Sequence, residues 1–67
     1  MSKYELEKQR LFSIVAYCDE VSPVQARVIY LNEHGDIPMQ QVHKLMSEMA
    51  DDGTLVRPRK GIYRRAK

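Results

Sequence analysis

The basic side chains of the last fourteen residues are the feature of this 67-residue sequence most suited to binding chemistry. Residues 54–67 hold six Lys or Arg and no acidic residue, whereas residues 1–53 hold five basic residues against nine acidic ones. The segments carry formal charges of +6 and −4, a split that the net charge of +2 conceals. Such asymmetry indicates a polyanionic partner rather than a small substrate. The cations are Arg57, Arg59, Lys60, Arg64, Arg65 and Lys67.

A second group of polar side chains follows Pro38. A glutamine can form a bidentate pair with adenine, and a lysine can neutralise a phosphate. These residue types therefore suit contact with nucleic acid, although exposed glutamines on a helix are also commonly just solvated. The polar residues of this group are Gln40, Gln41, His43, Lys44 and Ser47.

The remaining reactive side chains do not form a catalytic or metal-binding pattern. The pair Asp51-Asp52 has no neighbouring acid, base or nucleophile in the sequence, which predicts a solvated helix end rather than catalysis. His34, His43 and Cys18 lack the spacing of metal ligands. A single cysteine excludes an internal disulfide and is predicted to pack as a small hydrophobe. We therefore expect no enzyme activity, metal or cofactor.

Helical periodicity and capping residues predict two helices in the first half of the chain. Leu11, Ile14, Val15 and Cys18 recur at helical spacing and predict helix 1 over residues 3–19, with Ser2 and Glu5 as a capping box. Ser22 as N-cap and Pro23 at the first position predict helix 2 over residues 23–34. Its expected buried face is Val24, Val28 and Leu31.

A third helix and a hairpin are predicted for the second half. Asp36 as N-cap, with Pro38 in the first turn, predicts helix 3 over residues 37–52, whose apolar side is Ile37, Val42, Leu45, Met46 and Met49. Gly53 ends that helix, and residues 54–65 alternate like a hairpin with its turn at residues 58–61. Leu55-Val56 is expected opposite Ile62-Tyr63, and Val21 or a neighbouring residue is expected to add a short strand beside the hairpin.

Length and hydropathy predict one domain over residues 1–67 with a single small core. No stretch approaches the ~20 apolar residues of a membrane span. The charged start has no apolar signal-peptide region. These features predict a cytoplasmic protein with no membrane partner.

Residues 21–65 resemble the winged helix-turn-helix family of bacterial and phage DNA-binding proteins. The resemblance lies in the run Met49-Ala50-Asp51-Asp52-Gly53-Thr54-Leu55-Val56-Arg57, where an apolar helix end, acidic residues and glycine lead into a strand and a basic wing. It implies a mainly α fold with a small β-hairpin, in a small bacterial, phage or plasmid regulator of transcription. Helix 37–52 would read double-stranded DNA in the major groove, and wing 54–65 would hold the flanking backbone. The contacts it implies are Pro38, Met39, Gln40, Gln41, His43, Lys44, Ser47, Arg57, Arg59, Lys60, Arg64 and Arg65.

Three alternatives remain open at the level of sequence. Glu48 and Asp51 would repel phosphate if they faced DNA, which favours a phage or plasmid module that docks on a host protein without specific DNA binding. The basic tail could instead be a disordered, solubilising segment. Leu6, Phe12 and Tyr17 lie off the apolar stripe of helix 1 and predict a homodimer through that helix.

Overall fold

The computed structural model describes residues 2–66, so that Lys67 of the basic segment lies outside the described residues. Three helices, α1 (Lys3–Cys18), α2 (Pro23–His34) and α3 (Met39–Asp51), precede the strands β1 (Leu55–Arg59) and β2 (Ile62–Arg65). The strands form one antiparallel hairpin. The predicted fold class, mainly α with a small hairpin in a helix-turn-helix and wing layout, is confirmed.

The first two helices begin at the predicted capping residues. The Oγ of Ser2 accepts a hydrogen bond from the Glu5 amide at 3.2 Å. At α2 the capping box is complete, because the Ser22 Oγ accepts from the Gln25 amide and the Gln25 Oε1 accepts from the Ser22 amide, both at 3.2 Å. Pro23 occupies the first turn, where its missing N–H costs no hydrogen bond.

The start of α3 differs from the prediction. Pro38, not Asp36, is the N-cap, and no side chain caps this helix. A residue before proline favours extended backbone, so Ile37 cannot begin a helix, although its side chain is buried. The Asp36 carboxylate lies 3.5 Å from Arg27, and the Arg27 Nε donates to the Ile37 carbonyl at 2.7 Å. Arg27 therefore holds the connection between α2 and α3.

The buried face of α2 also differs from the prediction. Pro23, Ala26 and Tyr30 face the core, whereas Val24, Val28 and Leu31 are 62%, 51% and 37% exposed. Both sets have helical spacing, so periodicity does not distinguish them. Choosing the more hydrophobic set then predicts the wrong buried face. Ala26 is fully buried, and the buried Tyr30 keeps a polar partner because the Arg10 guanidinium donates to its hydroxyl at 3.4 Å.

The core lies between the three helices and one face of the hairpin. Cys18 and Phe12 are half-buried and pack against it, as do Tyr4 and Met39. All five residues of the expected apolar side of helix 3 are buried, which confirms that set. The fully buried larger side chains are Leu11, Val15, Val21, Ile37, Val42, Leu45, Met46, Met49 and Leu55.

The hairpin forms in the predicted region but in another register. Leu55 pairs with Arg65, Val56 with Arg64, and Arg59 with Ile62, so the expected pairing of Leu55-Val56 with Ile62-Tyr63 is wrong. The ladder is irregular between Val56 and Arg59, around Pro58, whose nitrogen cannot donate to it. The turn is accordingly the short Lys60-Gly61 pair, with Gly61 at a φ of 79°.

The expected short strand at Val21 is present as a single bridge. The Val21 amide donates to the Tyr63 carbonyl and the Tyr63 amide donates to the Val21 carbonyl, both at 2.9 Å. This bridge joins the connection between α1 and α2 to the second strand of the hairpin, and so fixes the wing against the helices.

Candidate nucleic-acid interface

The exposed face of α3 presents a row of polar side chains. Gln40, His43 and Lys44 are exposed, and Ser47 is half-buried. Residues three and four apart share a helix face, so Gln40, Lys44 and Ser47 form one row with His43 beside it. Pro38 is exposed just before the helix begins. The structure thus brings five of the predicted contact residues to one surface.

Two predicted contact residues of α3 lie instead at the edge of this face. Met39 is half-buried against the core. Gln41 is half-buried as well, and its Nε2 donates to the Glu7 carboxylate of α1 at 3.1 Å. Glu7 is itself only 7% exposed. Gln41 lies four residues before the buried Leu45, and Gln40 lies four residues before the exposed Lys44. Because residues four apart share a helix face, this spacing is the sequence signal that distinguishes the two glutamines.

Two acidic residues lie towards α1. Glu48 belongs to α3, and Asp52 belongs to the turn that follows it. The Tyr4 hydroxyl donates to the Glu48 carboxylate. The Lys8 ammonium lies 4.0 Å from Glu48 and 3.7 Å from Asp52. The single positive charge of Lys8 therefore offsets part of the negative charge of Glu48 and Asp52, which would otherwise repel a phosphate near the exposed row.

Asp52 also organises the turn into β1. Its Oδ1 accepts from the Thr54 hydroxyl at 2.5 Å and from the Thr54 amide at 2.9 Å. These two bonds, the side-chain bond foremost, lower the pKa of Asp52 from its ordinary value near 3.8. Asp51 remains exposed at the end of α3. At a rise of 1.5 Å per residue, Asp51 lies roughly 16 Å along the helix from Gln40.

Arg57 connects the wing to the exposed row of α3. Its guanidinium lies 5.2 Å from the centroid of the Tyr63 ring, and its Nη2 donates to the Ser47 Oγ at 3.3 Å. A guanidinium on an aromatic face is held by the ring quadrupole, which fixes the direction of the cation. Within the row, the Lys44 ammonium lies 5.7 Å from the ring centroid of Tyr4 on α1.

The other basic residues of the wing are not equivalent. Arg59 is paired with Glu20, with its Nη2 2.8 Å from the carboxylate oxygen, whereas Lys60 is exposed at the turn. Arg64 and Arg65 are exposed, and alternation along β2 sends them to opposite faces of the hairpin. Arg65 shares its face with Tyr63, and hence with Arg57.

Glu20 was not anticipated from the sequence as a partner of the wing. It follows Asp19, whose φ of 67° and ψ of −63° form a tight turn in which the Glu20 amide donates to the Cys18 carbonyl at 2.8 Å. This conformation is rare and strained for a residue other than glycine. Because 39 positions separate Glu20 and Arg59 in the chain, no local sequence pattern predicts this ion pair.

Two further properties concern the whole of residues 2–66. No three His, Cys, Asp or Glu side chains in this range are grouped so that they could hold a metal ion. None of its helices combines the length and the apolar character needed to cross a membrane.

Comparison with known proteins gives no assignment: no family model matches the chain, and neither the curated proteins nor the solved structures include a significant match. Its function is therefore inferred from the geometry of α3 and the wing.

Proposed function

We propose that this protein binds double-stranded DNA sequence-specifically and regulates transcription, as a small cytoplasmic regulator of a bacterium, phage or plasmid. α3 would enter the major groove, and the wing would hold the adjacent phosphate backbone. The observation that carries the proposal is the position of Arg57, between Ser47 of α3 and Tyr63 of β2. It makes the exposed row of α3 and the basic wing one continuous surface.

The beginning of α3 suits this role. No side chain caps the helix, and because the amides of Gln41 and Val42 donate to the Pro38 carbonyl, those of Met39 and Gln40 are the ones left for a phosphate. Gln40 is exposed in that turn and has the donor and acceptor needed for adenine, while Lys44 lies one turn further along the row and His43 lies beside it. Lys8 offsets one of the two negative charges of Glu48 and Asp52, which lie towards α1, and the exposed Asp51 is at the far end of the helix from Gln40.

A protein-interaction module is the second candidate function. It is favoured by the exposed Asp51 and by the apolar residues that α2 exposes to solvent. In that case the chain would dock on a host protein and would show no preference among DNA sequences.

The test is selection of bound sequences from a pool of random duplex DNA by the purified protein. We expect enrichment of a defined site, and tighter binding to that site than to random duplex at one salt concentration. Replacing Arg57, Arg59 and Lys60 with Ala should weaken binding to both duplexes alike. The slope of log K against log salt should fall by about 0.9 for each phosphate that the variant no longer neutralises.

Arg10→Gln is the matched control, because it removes a cation of α1 but keeps a side-chain donor beside the Tyr30 hydroxyl, and it should leave the salt slope unchanged. Equal affinity of the wild-type protein for selected and random duplex would contradict sequence-specific regulation. Capture of a host protein from an extract, together with that result, would favour the interaction module.

A further inference from the structure

The two arginines of β1 differ in what faces their guanidinium groups. Arg57 contacts the Ser47 hydroxyl and the Tyr63 ring, which are both uncharged, so these contacts leave its positive charge uncompensated. Arg59 donates from its Nη2 to the Oε1 of Glu20 at 2.8 Å, so a carboxylate offsets its charge. Arg59 is therefore the one of the two that already has an anionic partner within the chain.

The backbone is fixed on both sides of Glu20. On one side, Asp19 forms the tight turn in which the Glu20 amide donates to the Cys18 carbonyl at 2.8 Å. On the other side, Val21 exchanges two backbone hydrogen bonds of 2.9 Å with Tyr63 of β2. The position of the Glu20 carboxylate beside the wing is therefore set by the fold.

The ion pair is not needed to hold the wing. The Arg59 and Glu20 side chains are 69% and 42% exposed, and exposed ion pairs contribute little to stability. The backbone bonds between Val21 and Tyr63 already join the wing to the helices. The pair can therefore open at low cost, and Arg59 can exchange one anion for another.

We propose that Glu20 competes within the chain for the guanidinium of Arg59 against a phosphate of duplex DNA. This competition rests on the proposed function, because it needs DNA as the second anion. Carboxylate and phosphate oxygens accept from a guanidinium with the same geometry. Two anions on one guanidinium would repel each other, so Arg59 leaves Glu20 when it takes a phosphate. Glu20 thereby lowers the affinity of the wing for DNA.

The competition acts on one side of the wing. Asp19 is exposed next to Glu20, so a phosphate that approaches Arg59 meets two carboxylates, whereas Arg57 faces the polar row of α3. Because phosphate contacts carry no sequence information, removal of the Glu20 charge should raise the affinity for every duplex alike. The depression beside the pair is lined by Asp19, Glu20, Pro58, Arg64 and Arg65.

The test is binding of the full chain to random duplex DNA at several salt concentrations. Glu20→Gln keeps the shape of the side chain and removes its charge. It should tighten binding by roughly two- to fivefold, the range that corresponds to an exposed ion pair. Arg59→Ala should lower the slope of log K against log salt by about 0.9, because one phosphate is no longer neutralised.

Two comparisons isolate the competition from a general effect of charge. Asp19→Asn is the matched control, because it removes the same charge from the neighbouring residue outside the pair, and it should tighten binding less than Glu20→Gln. In the Arg59→Ala background, Glu20→Gln should have no larger effect than Asp19→Asn, since no guanidinium is left to compete for. Thermal unfolding should show that all variants fold, because these three side chains are exposed.

Binding by Glu20→Gln that is equal to or weaker than that of the wild type overturns the competition. A gain of the same size in the Arg59→Ala background also overturns it, because the carboxylate would then act on DNA without Arg59. Equal affinity of the wild type for selected and random duplex contradicts sequence-specific regulation alone, since the Glu20 comparison uses only random duplex. No binding to any duplex by either the wild type or Glu20→Gln overturns both.

Discussion

At the scale of single residues, Gln40 and Gln41 show how neighbouring side chains of one type take different roles. Gln40 points to solvent from the first turn of α3. Gln41 lies one residue further round the helix, and its amide donates to the buried Glu7 carboxylate at 3.1 Å. A buried carboxylate needs such a donor, because burial of an unpaired charge is costly. Under the proposed function, Gln40 is therefore the glutamine available for DNA contact, whereas Gln41 supports the fold.

Substitution of each glutamine by Ala should separate the two roles. Gln40→Ala should cost about 1–3 kcal/mol of binding at one base pair of the selected site, with little change in the thermal midpoint because Ala suits a helix. Gln41→Ala should destabilise the fold by about 1–3 kcal/mol, since Glu7 loses its donor. Thermal unfolding and binding to selected against random duplex measure both effects. Identical behaviour of the two variants would show that the assignment is wrong.

At the scale of elements, the junction of α3 and β1 is held by one carboxylate. Asp52 accepts both hydrogen bonds from Thr54 and faces Lys8 of α1 at 3.7 Å. The Thr54 amide also donates to the Met49 carbonyl at 2.9 Å, so the chain turns sharply after the helix. This turn sets the direction in which the wing leaves α3.

The pKa of Asp52 makes this junction sensitive to acid. Its pKa in the folded protein is lowered from 3.8, mainly by the bonds from Thr54. The unfolded chain therefore binds the proton more readily, and the contribution of Asp52 is present above pH 3.8 and lost as pH falls through the lowered value. We expect the difference in unfolding free energy between wild type and Asp52→Asn to be largest near neutral pH and to shrink in acid.

Chemical unfolding at several pH values measures that difference. Asp51→Asn is the matched control one residue earlier, because it keeps the Thr54 contact and should follow the wild-type curve. A constant offset between wild type and Asp52→Asn from neutral pH to about pH 2, a range over which the contribution of a paired Asp declines, would contradict the assignment.

At the scale of the whole molecule, stability depends on a small core to which every element contributes. Leu45 is fully buried, whereas Leu31 is 37% exposed on the outward face of α2. The same substitution at these positions therefore tests which apolar residues hold the monomer together. A domain of about 60 residues buries only about 60% of the surface of its unfolded chain, so each core side chain matters.

Leu45→Ala should lower the free energy of unfolding by about 2–5 kcal/mol, because it removes buried apolar surface and leaves a cavity. Leu31→Ala should cost much less, because the Leu31 side chain is 37% exposed and its removal leaves little cavity. Denaturant titration at low concentration measures both variants. Equal destabilisation by the two substitutions would mean that Leu31 is buried in the monomer.

The helices and the hairpin were predictable because their signals are local in the chain. Ser22, Pro23 and Gln25 form the start of α2 within four residues, and Gly61 supplies the positive φ of the turn without a distant partner. The polar exposed positions of α3 followed from the buried residues between them. Charge in the basic segment likewise pointed to a polyanion without any knowledge of the fold.

The sequence by itself therefore determined the order of the elements and the basic, polar character of the surface around α3. Tertiary structure decided the buried face of α2, the register of the hairpin and the partners of the charged residues. Val24-Val28-Leu31 and Ala26-Tyr30 satisfy the same periodicity, and packing against the other elements decides that Ala26 and Tyr30 are the buried set. The pairs Arg59–Glu20 and Val21–Tyr63 join residues about 40 positions apart. Such contacts form only when the chain closes on itself, so no local pattern of residues could reveal them.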